Sequence, residues 1–129
     1  MPDGLYPLPD ARLSRKRREL APATAETFAA FSKQVFADGA LPARTKQLIA
    51  VAIAHVTQCP YCIRGHTRGA LRAGASDAEI MEAIWVAAEM RAGGSYAHSL
   101  LALAEMEQVE GSTATSEDPR GAHQRGRIS

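Results

Sequence analysis

"TKQLIAVAIAHVTQCPYCIRGHTRGALRAG", residues 45–74, holds two helical patterns back to back and decides how the chain folds. In the first, opened by Pro42, Leu48, Ile49, Ala52, Ile53 and Val56 cover most of a helix circumference, which predicts a central, buried helix over about 42–57. The second starts at Cys59-Pro60 and runs to about Ala73, with Gly74 as its stop. At about 100° per residue it gathers Cys59, Cys62, Ile63, His66, Ala70 and Ala73 on a face roughly 80° wide. Arg64, Arg68 and Arg72 then fall on the opposite side as a solvated stripe.

Upstream, Phe28, Phe31 and Val35 recur at helical spacing between Pro22 and the stop at Asp38-Gly39. Downstream, Ser76 and Glu79 form a capping box that opens another helix with Ile80, Ala83, Ile84 and Ala87 on one face. Gly93-Gly94 is expected to break it, and "SYAHSLLALAEMEQV" to form a last helix ending near Val109. No segment alternates with the period of a strand, so the expected fold is all-α, with about five or six helices and the C-x2-C at the start of a central one. The expected organisation is an extended basic arm over residues 1–20, leading into a charged helix start at Arg15, Lys16, Arg17 and Arg18; a helical domain over 21–110; and a disordered tail over 111–129.

With 129 residues and 46% hydrophobic content the chain can build one core, and with 5% aromatics that core is made of small side chains. Fifteen Lys and Arg against fourteen Asp and Glu leave no global field for nucleic acid or an anionic membrane, so neither is an expected partner. The longest strongly apolar stretch, Leu48–Val56, is too short to span a bilayer, and the first residues lack the pattern of a secretory signal. A cytoplasmic protein is expected. In that compartment the chain's two cysteines call for a chemical role rather than a structural crosslink. A small alanine-rich helical domain is also expected to bury apolar surface against other copies, for instance along Tyr96, Leu100 and Leu103.

Two thiols one turn apart at a rigid helix start suit a reversible disulfide. The free N–H groups of that helix start favour a thiolate at Cys59, whereas His66, one turn beyond Cys62, can take that thiol's proton. The residues alone leave the choice open. A zinc site built from Cys59, Cys62 and His66, with His55 or His98 as fourth ligand, is the alternative, and would make the domain a non-catalytic, metal-stabilised module. Structural zinc usually ties down a fold short of a core, so no metal or other cofactor is expected.

The stretch "CPYCIRGHTRGALRAGASDAEIMEAIWVAAEMRAGGSYAHS", preceded by "TKQLIAVAIAHVTQ", resembles the alkylhydroperoxidase D-like branch of the carboxymuconolactone decarboxylase superfamily over about residues 41–105. The resemblance implies an all-helical domain that forms trimers or hexamers. It also implies a thiol-dependent peroxidase, needing no metal or flavin, that acts on a small hydroperoxide and is reset by a thiol reductant, here unidentified. On that likeness Cys62 attacks the peroxide, Cys59 resolves the sulfenic acid, and His66 takes part in proton transfer. The family's relay has a glutamate twelve residues before the first cysteine, where this chain has Gln47. An amide orients a neighbour but does not accept a proton at neutral pH. His55 is a candidate substitute. Disulfide exchange without peroxide, or a decarboxylase reaction that does not use the thiol pair, are the alternative activities.

Overall fold

The computed structural model describes residues 5–8 and 10–116. The chain divides into two compact units, Met1–Ala88 and Glu89–Ser129. The first contains α1 (Ala11–Leu20), α2 (Pro22–Phe36), α3 (Ala43–Thr57), α4 (Pro60–Arg72) and the start of α5 (Asp77–Ser116). No strand occurs among the described residues, and the fold is all-α.

The helix boundaries follow from local chemistry. Asp10 caps α1 by accepting the Arg12 N–H at 2.8 Å, so the arm expected to be extended over residues 1–20 is instead helical from Ala11 to Leu20. Pro22 occupies the first turn of α2, where its missing N–H costs nothing. The loop after α2 is pinned to the start of α3: Asp38 Oδ1 accepts the Ala43 N–H at 2.7 Å, and Lys46 Nζ donates to the Ala37 carbonyl at 2.6 Å. Gly74 ends α4 with φ +96, which lets the Ala75 N–H reach the Ala70 carbonyl at 2.9 Å. The capping box forms as the sequence indicates, with Ser76 N–H to Glu79 Oε1 at 3.0 Å and Glu79 N–H to Ser76 Oγ at 3.1 Å.

Between α3 and α4 the chain reverses on one residue. Gln58 adopts left-handed angles, φ 56 and ψ 45, and the Cys59 N–H then returns to the Ala54 carbonyl at 3.1 Å. Among the contacts of α1 to α4, those between α3 and α4 are the most extensive. Val51 of α3 and Ala70 of α4 are fully buried, and Ala75 and Ile80 complete the core, with Leu48 and Ile84 against it.

Three further expectations need correction. α3 is not buried all round: Val51 and Ala54 are covered, whereas Ile49, Ile53 and Val56 are exposed, because within one chain the core forms on one side of that helix. Gly93-Gly94 does not break α5. Each glycine weakens a helix by about 1 kcal/mol relative to alanine, but neither takes a positive φ, and the backbone keeps helical angles through the pair. The same helix continues to Ser116 rather than ending near Val109, so the first six residues of the expected tail are helical. Residues 117–129 of that tail, and residues 1–4 and 9 of the arm, lie outside the described residues. No helix among the described residues is long and apolar enough to cross a membrane.

Candidate functional site

The sharp reversal at Gln58 delivers Cys59 to the N-terminus of α4 in an extended conformation, φ −94 and ψ 106, as the capping residue of that helix. Its sulfur accepts the backbone N–H of Cys62 at 3.3 Å, as serine or aspartate oxygens do at other helix starts. Pro60 supplies the first helical residue, and Cys62 follows one turn in. Both cysteines are free thiols and half-buried, and their sulfurs share a hydrogen bond.

The two thiols differ in acidity. The hydrogen bond from the Cys62 thiol, joined by backbone N–H groups of Cys62 and Tyr61, holds Cys59 below the ordinary range of a thiol. Cys62 is pushed up, first because it donates that hydrogen bond, then by burial and by the negative charge on Cys59. Cys59 is therefore the more acidic of the two thiols.

Cys62 opens onto a cleft of about 520 Å³ between α2, α3 and α4, and His66 and Gln47 line the same cleft. His66 Nδ1 lies 2.9 Å from Gln47 Oε1. An amide oxygen only accepts, so Nδ1 carries a proton and donates it to Gln47. The imidazole is also stacked on Phe36, with ring centroids 5.0 Å apart and planes at 25°. Gly69 makes room for this arrangement: a Cβ there would stand 2.7 Å from Gln47 Oε1 and 2.8 Å from its Cδ. Gln47 and Phe36 thus hold the ring, and Gly69 leaves the space that the Gln47 side chain occupies. Tyr61, between the cysteines, meets Tyr6 edge to face at 5.9 Å.

Of the residues singled out from sequence, Cys62, His66 and Gln47 come together at the cleft, and Cys59 joins them through its contact with Cys62 while not lining it. His55 is half-buried on α3, where Nδ1–H donates to the Val51 carbonyl of its own helix at 2.7 Å; it does not line the cleft. His98, in the second unit, donates in the same way to Gly94 at 2.8 Å. Among the described residues no three His, Cys, Asp or Glu side chains are grouped to hold a metal ion. Arg72 corrects the helical-wheel reading, for it lines the cleft with Cys62 instead of pointing away. Ten residues beyond Cys62 it stands only about 80° round the helix, at the edge of the reactive face.

Lys33, Phe36, Gly65 and Gly69 also line the cleft and are not candidates from sequence. Gly65 and Gly69 carry a usable signal, two glycines four apart in a segment that otherwise favours helix, which marks a face approached closely by something else. Phe36 carries none, since its spacing is that of any core residue.

The family model for carboxymuconolactone decarboxylases matches residues 22–105. A protein of Paracoccus denitrificans, described as uncharacterized protein 4 in the cox locus, is 66% identical over 86 residues, covering 67% of this chain and 78% of its own. Among solved structures, a protein from Methanobacterium thermoautotrophicum superposes with a TM-score of 0.61 at 38% identity, covering 64% of this chain and 93% of that one. The apo form of a carboxymuconolactone decarboxylase family protein from Legionella pneumophila gives 0.60 at 32% identity, covering 75% and 87%. The match spans the helices that build the cleft and its thiol pair, and the chain belongs to the carboxymuconolactone decarboxylase family.

Proposed function

We propose that the protein is a thiol-dependent peroxidase of the alkylhydroperoxidase D type. The observation that carries this reading is that the Cys62 thiol meets the Cys59 sulfur on one side while sharing a cleft with an oriented imidazole on the other. His66 Nε2 takes the Cys62 proton, and the thiolate attacks the terminal oxygen of a hydroperoxide. The O–O bond breaks, an S–O bond forms, and the leaving alkoxide takes the proton from His66 to depart as an alcohol. Cys59 then attacks the sulfenic sulfur, expelling water and closing a disulfide, which a thiol reductant returns to two thiols with two electrons. Gln47 holds the imidazole by Nδ1 and does not itself move a proton.

Thiol titration before and after one equivalent of hydroperoxide, with mass analysis of the product, tests this directly. Both thiols should vanish together with loss of two hydrogens, and Cys62→Ser should abolish turnover. Turnover that survives that substitution would remove Cys62 from its role. Activity that survives loss of both thiols would favour a decarboxylase-type reaction.

One observation favours a second reading, a general disulfide reductase. Cys59 is the more acidic thiol and caps a helix, the position of an attacking sulfur in thiol-disulfide exchange. Under that reading Cys62→Ser traps mixed disulfides on Cys59 and peroxide reacts no faster than with a free thiol. In either case the working protein is proposed to be a cytoplasmic homo-oligomer, a trimer or hexamer. Ile53 at 55% exposure and Trp85 at 68% support association, as large apolar side chains that a single chain leaves in water.

A further inference from the structure

Lys33, on α2, and Arg72, the last residue of α4, both line the cleft that holds Cys62 and His66. Among the described residues no Asp or Glu lines it. The ion pairs there join Arg12 to Asp10 and Arg44 to Glu79, so no carboxylate neutralises Lys33 or Arg72 in the described structure. On the same wall Ser32 presents a hydroxyl and Phe36 an apolar surface. Cations left unpaired around a concave site draw anions into it and leave neutral molecules unaffected.

We propose that Lys33 and Arg72 form a subsite for the anionic end of the oxidant, making the preferred substrate an organic hydroperoxide that bears a carboxylate. The peroxide end meets Cys62, the carbon chain lies along Phe36, and the carboxylate rests between the two cations. The chemistry is unchanged by this contact: Cys62 sulfur is oxidised by two electrons, the peroxide becomes an alcohol, and the carboxylate leaves as it came. The cleft, at about 520 Å³, is an open groove with room for such a molecule to lie along it. This assignment rests on the thiol-peroxidase reading, and its test separates the two.

Alkylation needs no peroxide. In a Cys59→Ser protein, where Cys62 is the only thiol, the rate with anionic iodoacetate is divided by that with neutral iodoacetamide, and the ratio is compared with that of 2-mercaptoethanol. Two cations at the cleft should raise the ratio at Cys62 by roughly three- to fivefold at low ionic strength. High salt, or Lys33→Gln with Arg72→Gln, should bring it down to that of the free thiol. The same ratio at Cys59, which does not line the cleft, measured in a Cys62→Ser protein, should respond less to the two substitutions than that at Cys62. A Cys62 ratio insensitive to both salt and substitution, or an equal fall at Cys59, would overturn the subsite.

The second arm compares linoleic acid hydroperoxide with its methyl ester, the same chain without its charge. kcat/KM should favour the acid in the native protein by a similar factor and lose that preference in Lys33→Gln/Arg72→Gln. Equal rates for acid and ester in the native protein would overturn the substrate assignment. Oxidation of Cys62 by neither compound would instead overturn the peroxidase reading, a failure distinguished by the alkylation ratio.

Discussion

The side-chain oxygen of Gln47 stands 2.9 Å from Nδ1 of His66, in the space left by a glycine one helix away. That contact sets the tautomer of the imidazole, because the amide oxygen must receive the proton that Nδ1 carries. It also limits the base. A carboxylate in that place would stabilise the imidazolium that forms when Nε2 takes a proton, and an amide does so only weakly.

Replacing Gln47 by Glu puts a carboxylate against the Nδ1–H of His66, which should stabilise the imidazolium formed when Nε2 takes the Cys62 proton and so speed that transfer. On the peroxidase reading kcat/KM for hydroperoxide rises about tenfold or more, within the usual worth of a general base. Steady-state rates across pH, with the His66 ring followed by NMR, check both parts. An unchanged rate would mean that the proton leaves Cys62 by another route, for which the hydrogen bond to Cys59 is the evident one.

Gly69→Ala separates fold from function. The added Cβ collides only with the far end of the Gln47 side chain, which can swing away. Alanine favours the helix by about 1 kcal/mol, and the lost hydrogen bond to His66 costs about as much. Thermal stability should therefore stay within a few degrees, while His66 loses its fixed tautomer and, on the peroxidase reading, peroxide turnover falls. A melting curve and the imidazole nitrogen shifts measure the two effects.

The thiols should titrate apart. Cys59 is lowered by the hydrogen bond from Cys62, and Cys62 is raised by donating it. Since only the thiolate reacts, alkylation of Cys59 should reach its plateau at a lower pH than an ordinary thiol, and that of Cys62 at a higher one. In Cys59→Ser the negative neighbour is gone, so the Cys62 midpoint should move down. Site-resolved mass spectrometry of pulse-alkylated protein follows each curve.

Gln58 is the only non-glycine residue with positive φ among those described. A left-handed conformation costs a residue with a Cβ about 1–2 kcal/mol, partly offset in the comparison with glycine by the greater freedom of glycine in the unfolded chain. Gln58→Gly should stabilise the fold by about 0.5 kcal/mol, a rise in Tm of roughly 2–4 °C, and Gln58→Val should lower it.

Much of this arrangement is legible in the amino-acid order. Gly74, Ser76 with Glu79, and Pro22 act within a few residues of themselves, so their effects survive any packing, and the C-x2-C with His66 falls on one side of its helix for the same reason. What lies beyond reach is set by other helices. Nothing in the spacing of Phe36 says that it will stack on His66, and nothing about Arg72 says that it will line one cleft with Lys33 of α2. The wheel also treats Cys59 as a helical residue, whereas it caps the helix and aims its sulfur back at the Cys62 amide. Gly93-Gly94 misleads in the other direction, since a penalty of a few kcal/mol is a preference and not a prohibition.

Cys59 closes the end of α4 with the same lone pairs that any electrophile would consume. Alkylation or oxidation at that sulfur therefore weakens the acceptor of the Cys62 N–H and leaves the first turn of the helix less protected. Deuterium uptake at a single amide becomes a gauge of the chemical state of a side chain three residues away, readable without substrate or reporter dye.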